Sequence, residues 1–248
     1  MNIRTIVILP TYDEQESVAG IIRRIRRSVP EAHVLVVDDN SPDGTGDVAE
    51  EISRSDVHVH VLHRARKQGL GAAYLAGFTW AVSDGYDAIV ECDADGSHHP
   101  EELSRLLDAL EVQDMVIGSR WIAGGAVVGW PLSRRWLSRA GSGYARMLLG
   151  LPQRDVTGGF RAYRAAALQS LMDAGIASEG YCFQIELLWR AQRAGLRIAE
   201  VPITFSDRQL GSSKMNAGIV AEAMWRVTRW AFGARLRRPV RVAEVRHV

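Results

Sequence analysis

Apolar residues arrive in short unbroken runs along the first half of the chain: TIVILP from Thr5, HVLVVDD from His33, VHVHVL from Val57, AIVECDAD from Ala88 and DMVIGS from Asp114. A continuous run of this length reads as a strand buried on both faces. Between the runs, apolar positions recur at helical spacing over residues 14–28, 43–53, 72–82 and 100–110, the last opening Pro-Glu-Glu as helix first turns often do. Strands alternating with helices predict an α/β fold with a mostly parallel central sheet flanked by helices. Right-handed crossovers then bring the C-terminal ends of the strands to one edge, where ligands bind.

That edge is acidic. Tyr12, Asp13 and Glu14 follow the first run, Asp38, Asp39 and Asp43 the second, and Asp93 with Asp95 the fourth. Such a rim repels itself unless a cation sits in it. Helix caps and turns account for Asp43 and Asp39 but not for the rest. Asp93 and Asp95 suit a hard divalent cation, Mg2+ or Mn2+, which prefers oxygen ligands and leaves positions open for phosphates. Alone, an Asp-x-Asp is a weak signal, since such tripeptides also form solvated turns. Glu91 is expected to face the sheet edge or a neighbouring cation. His98 and His99 are lesser metal candidates, and His58 and His60 read as edge positions of a strand.

A chain of 248 residues, 47% hydrophobic, suffices for one large core, with a C-terminal appendage. The formal charge of +1 hides a division: residues 1–118 carry 10 basic and 21 acidic side chains, residues 119–248 carry 20 and 8. The basic half is suited to phosphates or a lipid surface. Cys92 and Cys182 are far apart and show neither a disulfide nor a zinc pattern, which fits a reducing compartment. The apolar run at residues 6–9 is too short for a signal peptide, and no export is expected. The longest uncharged run, residues 69–83, falls short of the roughly 20 apolar residues needed to span a bilayer. No G-x-G-x-x-G follows the first strand and no P-loop occurs, so dinucleotide and P-loop chemistry are not expected.

DADGS is similar to the nucleophile motif of haloacid dehalogenase phosphatases. There, however, the motif closes the first strand and the acidic pair comes later, whereas here it closes the fourth and Asp38–Asp39 precedes it. A second resemblance covers most of the chain, from Thr5 to Met215. VILPTYDEQES, VVDDNSPDGTGDVA, RKQGLGAAYLAGF, ECDADGSHHPEE, IGSRW, DVTGGFRAYR and DRQLGSSKM, in this order, resemble family 2 glycosyltransferases of the GT-A fold, and among them the polyprenol-phosphate (dolichol-phosphate) mannose synthases.

The resemblance implies roles. Pro10, Tyr12 and Glu14 would border the nucleotide, with Glu14 and Asp39 accepting hydrogen bonds from base or ribose and Asp43, Lys67 and Gly71 completing the pocket. Asp93, Ala94 and Asp95 would meet the donor diphosphate, Asp93 and Asp95 through the metal. Ser97 stands where family members often have glutamine and is a further metal candidate. Arg120, Arg208 and Lys214 would contact phosphates. Arg134, Arg135, Arg208 and Lys214 would hold the acceptor phosphate, Arg134 and Arg135 being undecided between them. Asp155 would touch sugar hydroxyls or orient the acceptor, in a segment whose Gly158 and Gly159 let backbone approach a ligand.

The implied reaction is inverting, metal-dependent transfer of mannose from GDP-mannose to a polyprenyl monophosphate. UDP-glucose or another donor on the same fold is the alternative, and a non-catalytic subunit binding nucleotide sugar or lipid is another. The implied division is a catalytic domain over 1–215, with a nucleotide-binding half at 1–118 and an acceptor-binding half at 119–215, then an amphipathic basic helix and tail over 216–248. Residues 130–151 and 217–241 set Leu132, Trp136, Leu137, Tyr144, Met147 and Leu148, and Ile219, Val220, Met224, Val227, Trp230 and Phe232, among arginines at helical spacing. Such faces suit a membrane interface. The expected location is peripheral, on the cytoplasmic face of a membrane, with room for a membrane-anchoring partner protein and none for nucleic acid.

Overall fold

The computed structural model describes residues 3–176, 182–207 and 217–236, the side chains of the last helix over 223–232. The five apolar runs form β1 (Thr5–Thr11), β2 (His33–Asp38), β3 (Val59–His63), β4 (Ala88–Glu91) and β5 (Met115–Ser119). Between them lie α1 (Gln15–Ser28), α2 (Thr45–Ser55), α3 (Leu70–Ser83), and a 3-10 turn, Pro100–Glu102, leading into α4 (Leu103–Leu110). The central sheet has the order β3-β2-β1-β4-β7-β5-β8, with β7 at Arg161–Arg164 and β8 at Ile198–Pro202.

Alternation along the strands builds two cores. Ile6 and Ile8 of β1 face α3, where they join Tyr74, Phe78, Tyr163 and Phe183. Val7 and Leu9 face the opposite side with Val18, Ile21, Ile22 and Ile25 of α1, whose spacing is that of one helical face. At Gly77 of α3 a Cβ would come 2.5 Å from Ile8 Cγ2, so only glycine lets that helix lie so close to the sheet.

The sheet is mostly parallel, as expected, with one exception that no apolar run marked. β7 runs antiparallel to both neighbours, pairing Glu91 with Arg161, so its start rather than its end lies at the ligand edge. The remaining elements frame that edge. β6 (Ala126–Val128) and β9 (Thr204–Ser206) form a small parallel sheet. α5 (Leu132–Leu149), α6 (Ala165–Asp173), α7 (Cys182–Arg193) and α8 (Ala217–Leu236) complete the chain. α5 and α8 are joined by the Tyr144 and Thr228 hydroxyls at 2.6 Å, and Trp230 stacks on Trp189 of α7. Among the described residues, no helix is long and apolar enough to cross a membrane.

Candidate active site

The edge of β1 and β2 is knitted by carboxylates acting on the chain itself. Asp38 accepts from the Thr11 hydroxyl at 2.9 Å and from Ser41 N–H at 3.0 Å. Asp13 and Asn40, one after each strand, have φ of 57° and 59°, a left-handed conformation that aspartate and asparagine tolerate better than other residues with a side chain. Asp43 ties two helix starts together, accepting from Thr45 N–H at 3.0 Å and Gln15 N–H at 3.1 Å. Burial opposes its charge, but a hydrogen bond from the Thr45 hydroxyl at 2.6 Å, with these backbone bonds, outweighs it and holds the carboxyl below its usual range. Asp39 is paired with Arg64 and accepts Gln68 N–H at 3.0 Å, an arrangement that ties down the chain entering α3.

Other residues of the expected nucleotide pocket divide. Lys67 Nζ sits 3.4 Å above the Tyr12 ring, a cation–π contact that orders both beside partly exposed Pro10 and Glu14. Gly71 belongs elsewhere: a Cβ there would lie 3.2 Å from three atoms of the Phe183 side chain, so its small size serves core packing.

β4 ends at Glu91, and the chain turns so that Asp93 and Asp95 leave the sheet. The Tyr74 hydroxyl donates to Asp93 Oδ1 at 3.0 Å, and burial pushes that phenol well up, so it keeps its proton. Asp95 accepts Ser97 N–H at 2.9 Å. Ser97 Oγ is buried and has no hydrogen-bond partner among the described residues. His98 Nδ1 accepts the Asp93 N–H at 3.1 Å, which puts the ring proton on Nε2 and removes Nδ1 from metal binding; burial lowers its pKa, so the ring is neutral. Among the described residues no three His, Cys, Asp or Glu side chains converge on one point. Two carboxylates and an orphaned hydroxyl therefore fit a hard cation of the Mg2+ or Mn2+ kind, whose other positions go to water or substrate oxygens.

Beneath this turn, Glu91 is buried with Arg161. Tyr163 Oη and Gln184 Nε2 donate to its two oxygens at 3.0 and 2.6 Å, and burial raises its pKa to about 7. Arg161 is itself fully buried and donates to the carbonyls of Val156, Gly158 and Gln184 at 2.9, 2.8 and 2.7 Å, fixing the DVTGGF loop from below.

The same loop is fixed from above by Arg120. Its Nε and Nη2 donate to Asp155 Oδ2 and Oδ1, both at 2.7 Å, with a further bond from Nη2 to Thr157 Oγ1 at 3.0 Å. Asp155 is 0% exposed and Arg120 7%. Burial opposes the Asp155 charge, but the guanidinium outweighs it and holds the carboxyl below its usual range. Asp155 therefore orients Arg120, and both of its oxygens lie out of reach of a sugar. Arg120 in turn lies 5.2 Å from the Phe205 ring centroid, and Phe205 packs edge-on against His98. Consecutive glycines join the two clusters: a Cβ on Gly158 would lie 3.4 Å from Asp155 Oδ1, one on Gly159 3.6 Å from Asp93 Oδ2.

Next to Arg120 a cavity of about 470 Å³ opens under α5, its lining including Trp121, Leu132, Arg135, Trp136 and Arg139. Of the two arginines left undecided, Arg135 lines this cavity and donates to Val127 O at 2.9 Å. Arg134 points away, paired with Asp207 at 2.7 Å and stacked on Trp130. Trp121 and Arg139 were not among the expected residues. Their signal was present as GSRW and as the i+4 successor of Arg135. Arg208 and Lys214 lie outside the described residues.

Residues 6–172 match the family model described as Glycosyl transferase family 2. The chain is similar to an undecaprenyl-phosphate mannosyltransferase of Micrococcus luteus, 55% identical over 94% of this chain and 96% of that protein. It is also similar to a polyprenol monophosphomannose synthase of Mycolicibacterium smegmatis, 52% identical over 95% of this chain and 89% of that one. In fold it resembles glucosyl-3-phosphoglycerate synthase of Mycobacterium tuberculosis, solved with Mn2+, uridine diphosphate and glucosyl-3-phosphoglycerate. That likeness has a TM-score of 0.64 at 23% identity, over 96% of this chain and 82% of that one.

Proposed function

The chain belongs to glycosyl transferase family 2 and has its GT-A-like α/β fold, and from that premise we propose that it transfers mannose from GDP-mannose to a polyprenyl monophosphate, with inversion. The observation that carries the reading is the Gly158–Gly159 junction, with Asp93 against one glycine and the Arg120–Asp155 pair against the other. A carboxylate pair suited to a donor's diphosphate thus lies beside a pre-oriented cation suited to an acceptor's phosphate. The names of the two mannosyltransferase relatives support the same substrates.

Asp93 and Asp95, with Ser97 beside them, would hold Mg2+ or Mn2+, which supplies positive charge to the diphosphate leaving group. Lys67, Tyr12 and Glu14 border the nucleotide in this reading, with Asp39 and Asp43 holding the pocket walls. Arg120 holds the acceptor phosphate, whose oxygen is already ionised near neutral pH and needs no strong base. That oxygen attacks the anomeric carbon as the bond to the diphosphate breaks, and GDP leaves with the electron pair. A single displacement of this kind inverts the anomeric centre.

The prenyl chain would leave across α5, where Leu132 and Trp136 are each 71% exposed among arginines, and across α8, where Trp225 and Phe232 are exposed. Such a face rests on a bilayer. A membrane-anchoring partner protein would bind there too. Cys92 and Cys182, both buried and neither in a disulfide, fit the cytoplasmic side. Labelled GDP-mannose and UDP-glucose, incubated separately with full-length protein, Mg2+ and polyprenyl phosphate, test the donor. Label from GDP-mannose entering the organic phase is expected, and label from UDP-glucose alone would overturn the donor.

A further inference from the structure

Two buried N–H donors in the lining of the cavity under α5, Trp121 Nε1 and Arg135 Nε, have no acceptor among the described residues. A buried donor left unpaired carries a desolvation penalty, and native proteins rarely keep one without a use. Two in one cavity indicate an oxygen-rich group that arrives from outside. Its charge follows from the lining: Arg120, Arg135 and Arg139 are present, and no acidic side chain lines the cavity among the described residues. Arg120 is already neutralised by Asp155, so Arg135 and Arg139 contribute the uncompensated charge. Arg139 is not loose, since its guanidinium carbon lies 4.7 Å over the Trp121 ring, which holds the charge near the indole N–H. The same cavity is lined by exposed Leu132 and Trp136, so the rest of the ligand is apolar.

We propose that Trp121 and Arg139 are acceptor-recognition residues: the Trp121 indole N–H and Arg135 Nε–H donate to a phosphomonoester on an apolar chain, and Arg139, stacked on Trp121, supplies its counter-charge. This rests on the polyprenyl-phosphate reading above and adds residues to it. Arg134, tied to Asp207 and Trp130, does not share the task.

Trp121→Phe tests it, because the ring stays and only the N–H goes. Without ligand the variant is expected to melt at the same temperature as the wild type or higher, since an unpaired donor has been removed. Its KM for polyprenyl phosphate is expected to rise about tenfold or more, the value of a hydrogen bond to a charged group, with KM for GDP-mannose unchanged. Arg139→Gln is expected to do the same, and Arg139→Lys to restore part of the loss. Geranyl phosphate is expected to raise the wild-type melting temperature, inorganic phosphate less so and geraniol not at all, and Trp121→Phe to abolish the shift. Wild-type acceptor KM and an unchanged geranyl phosphate shift in Trp121→Phe would overturn the proposal. So would a rise in both KM values together with a lower melting temperature, the signature of a packing defect. If the wild type gains stability from geranyl phosphate, and Trp121→Phe loses that gain, while no sugar is transferred, the anion site stands and the functional reading falls.

Discussion

Arg120 and Asp155, 35 residues apart, meet as a buried fork in which both carboxylate oxygens accept guanidinium N–H bonds at 2.7 Å. The pair fixes one cation beside the glycine junction and closes the loop over β7. Asp155→Ala would leave the Arg120 charge buried without its partner, at a cost of about 3–5 kcal/mol. Urea denaturation is expected to show that loss, and turnover to fall with it. A variant as stable and active as the wild type would remove Asp155 from the account.

Much of this fold is legible in the chain because strands buried on both faces must be apolar throughout. β1, β2, β4 and β5 stand close to where their runs of Ile, Val and Leu lie. β7 escapes that reading for a physical reason: it begins with Arg161, whose charge is met by Glu91 and by three backbone carbonyls rather than by exposure. β6, with two of its three residues exposed, has no buried face to mark it. In the site, the Asp93–Asp95 pair is legible because its two carboxylates stand two residues apart in the sequence. The partner of Asp155 is not, because only folding brings Arg120 to it. The choice between Arg134 and Arg135 depends on the phase of α5, which turns one to Asp207 and the other to the cavity.

Tyr74 and Asp93 carry a second prediction. Tyr74→Phe removes a hydrogen bond that orients Asp93 Oδ1. Loss of such a supporting contact typically weakens metal affinity about 10- to 100-fold. The Mg2+ or Mn2+ concentration giving half-maximal turnover is expected to rise accordingly, and an unchanged metal dependence would contradict the assignment. Asp95→Ala is expected to abolish turnover with the fold intact by circular dichroism, and retained activity would sink the metal site.

Gly71 separates packing from binding. Gly71→Leu places a side chain against the Phe183 ring and is expected to cost about 1–3 kcal/mol of stability. KM for the nucleotide sugar is expected to stay at the wild-type value. A rise in that KM without a loss of stability would return Gly71 to the nucleotide pocket.

His33 and His60 give the stability a pH dependence. They stack with Nδ1 and Nε2 at 2.9 Å, and burial above all lowers both below the usual histidine value, with His58 and Arg4 adding to it and Asp84 opposing it at His60. His58 and Asp56, Arg4 and Asp84, Arg26 and the Tyr86 hydroxyl surround them. The unfolded chain therefore takes up protons first as pH falls, so this contribution is present above about pH 6.5 and lost below it. Urea midpoints are expected to fall between pH 7.5 and 5, and His33→Asn to flatten that slope. An equal slope in the variant would assign the dependence to other groups.

Product stereochemistry tests the central claim most directly. Full-length protein is incubated with Mg2+, polyprenyl phosphate and GDP-mannose carrying 13C at C1, and the lipid product is read by NMR. A mannosyl phosphate whose C1 is bonded to the acceptor phosphate, in β configuration from the α-linked donor, is the result expected for one displacement between Asp93–Asp95 and Arg120. An α-linked product, or labelled GDP-mannose recovered intact beside unmodified lipid, would contradict it.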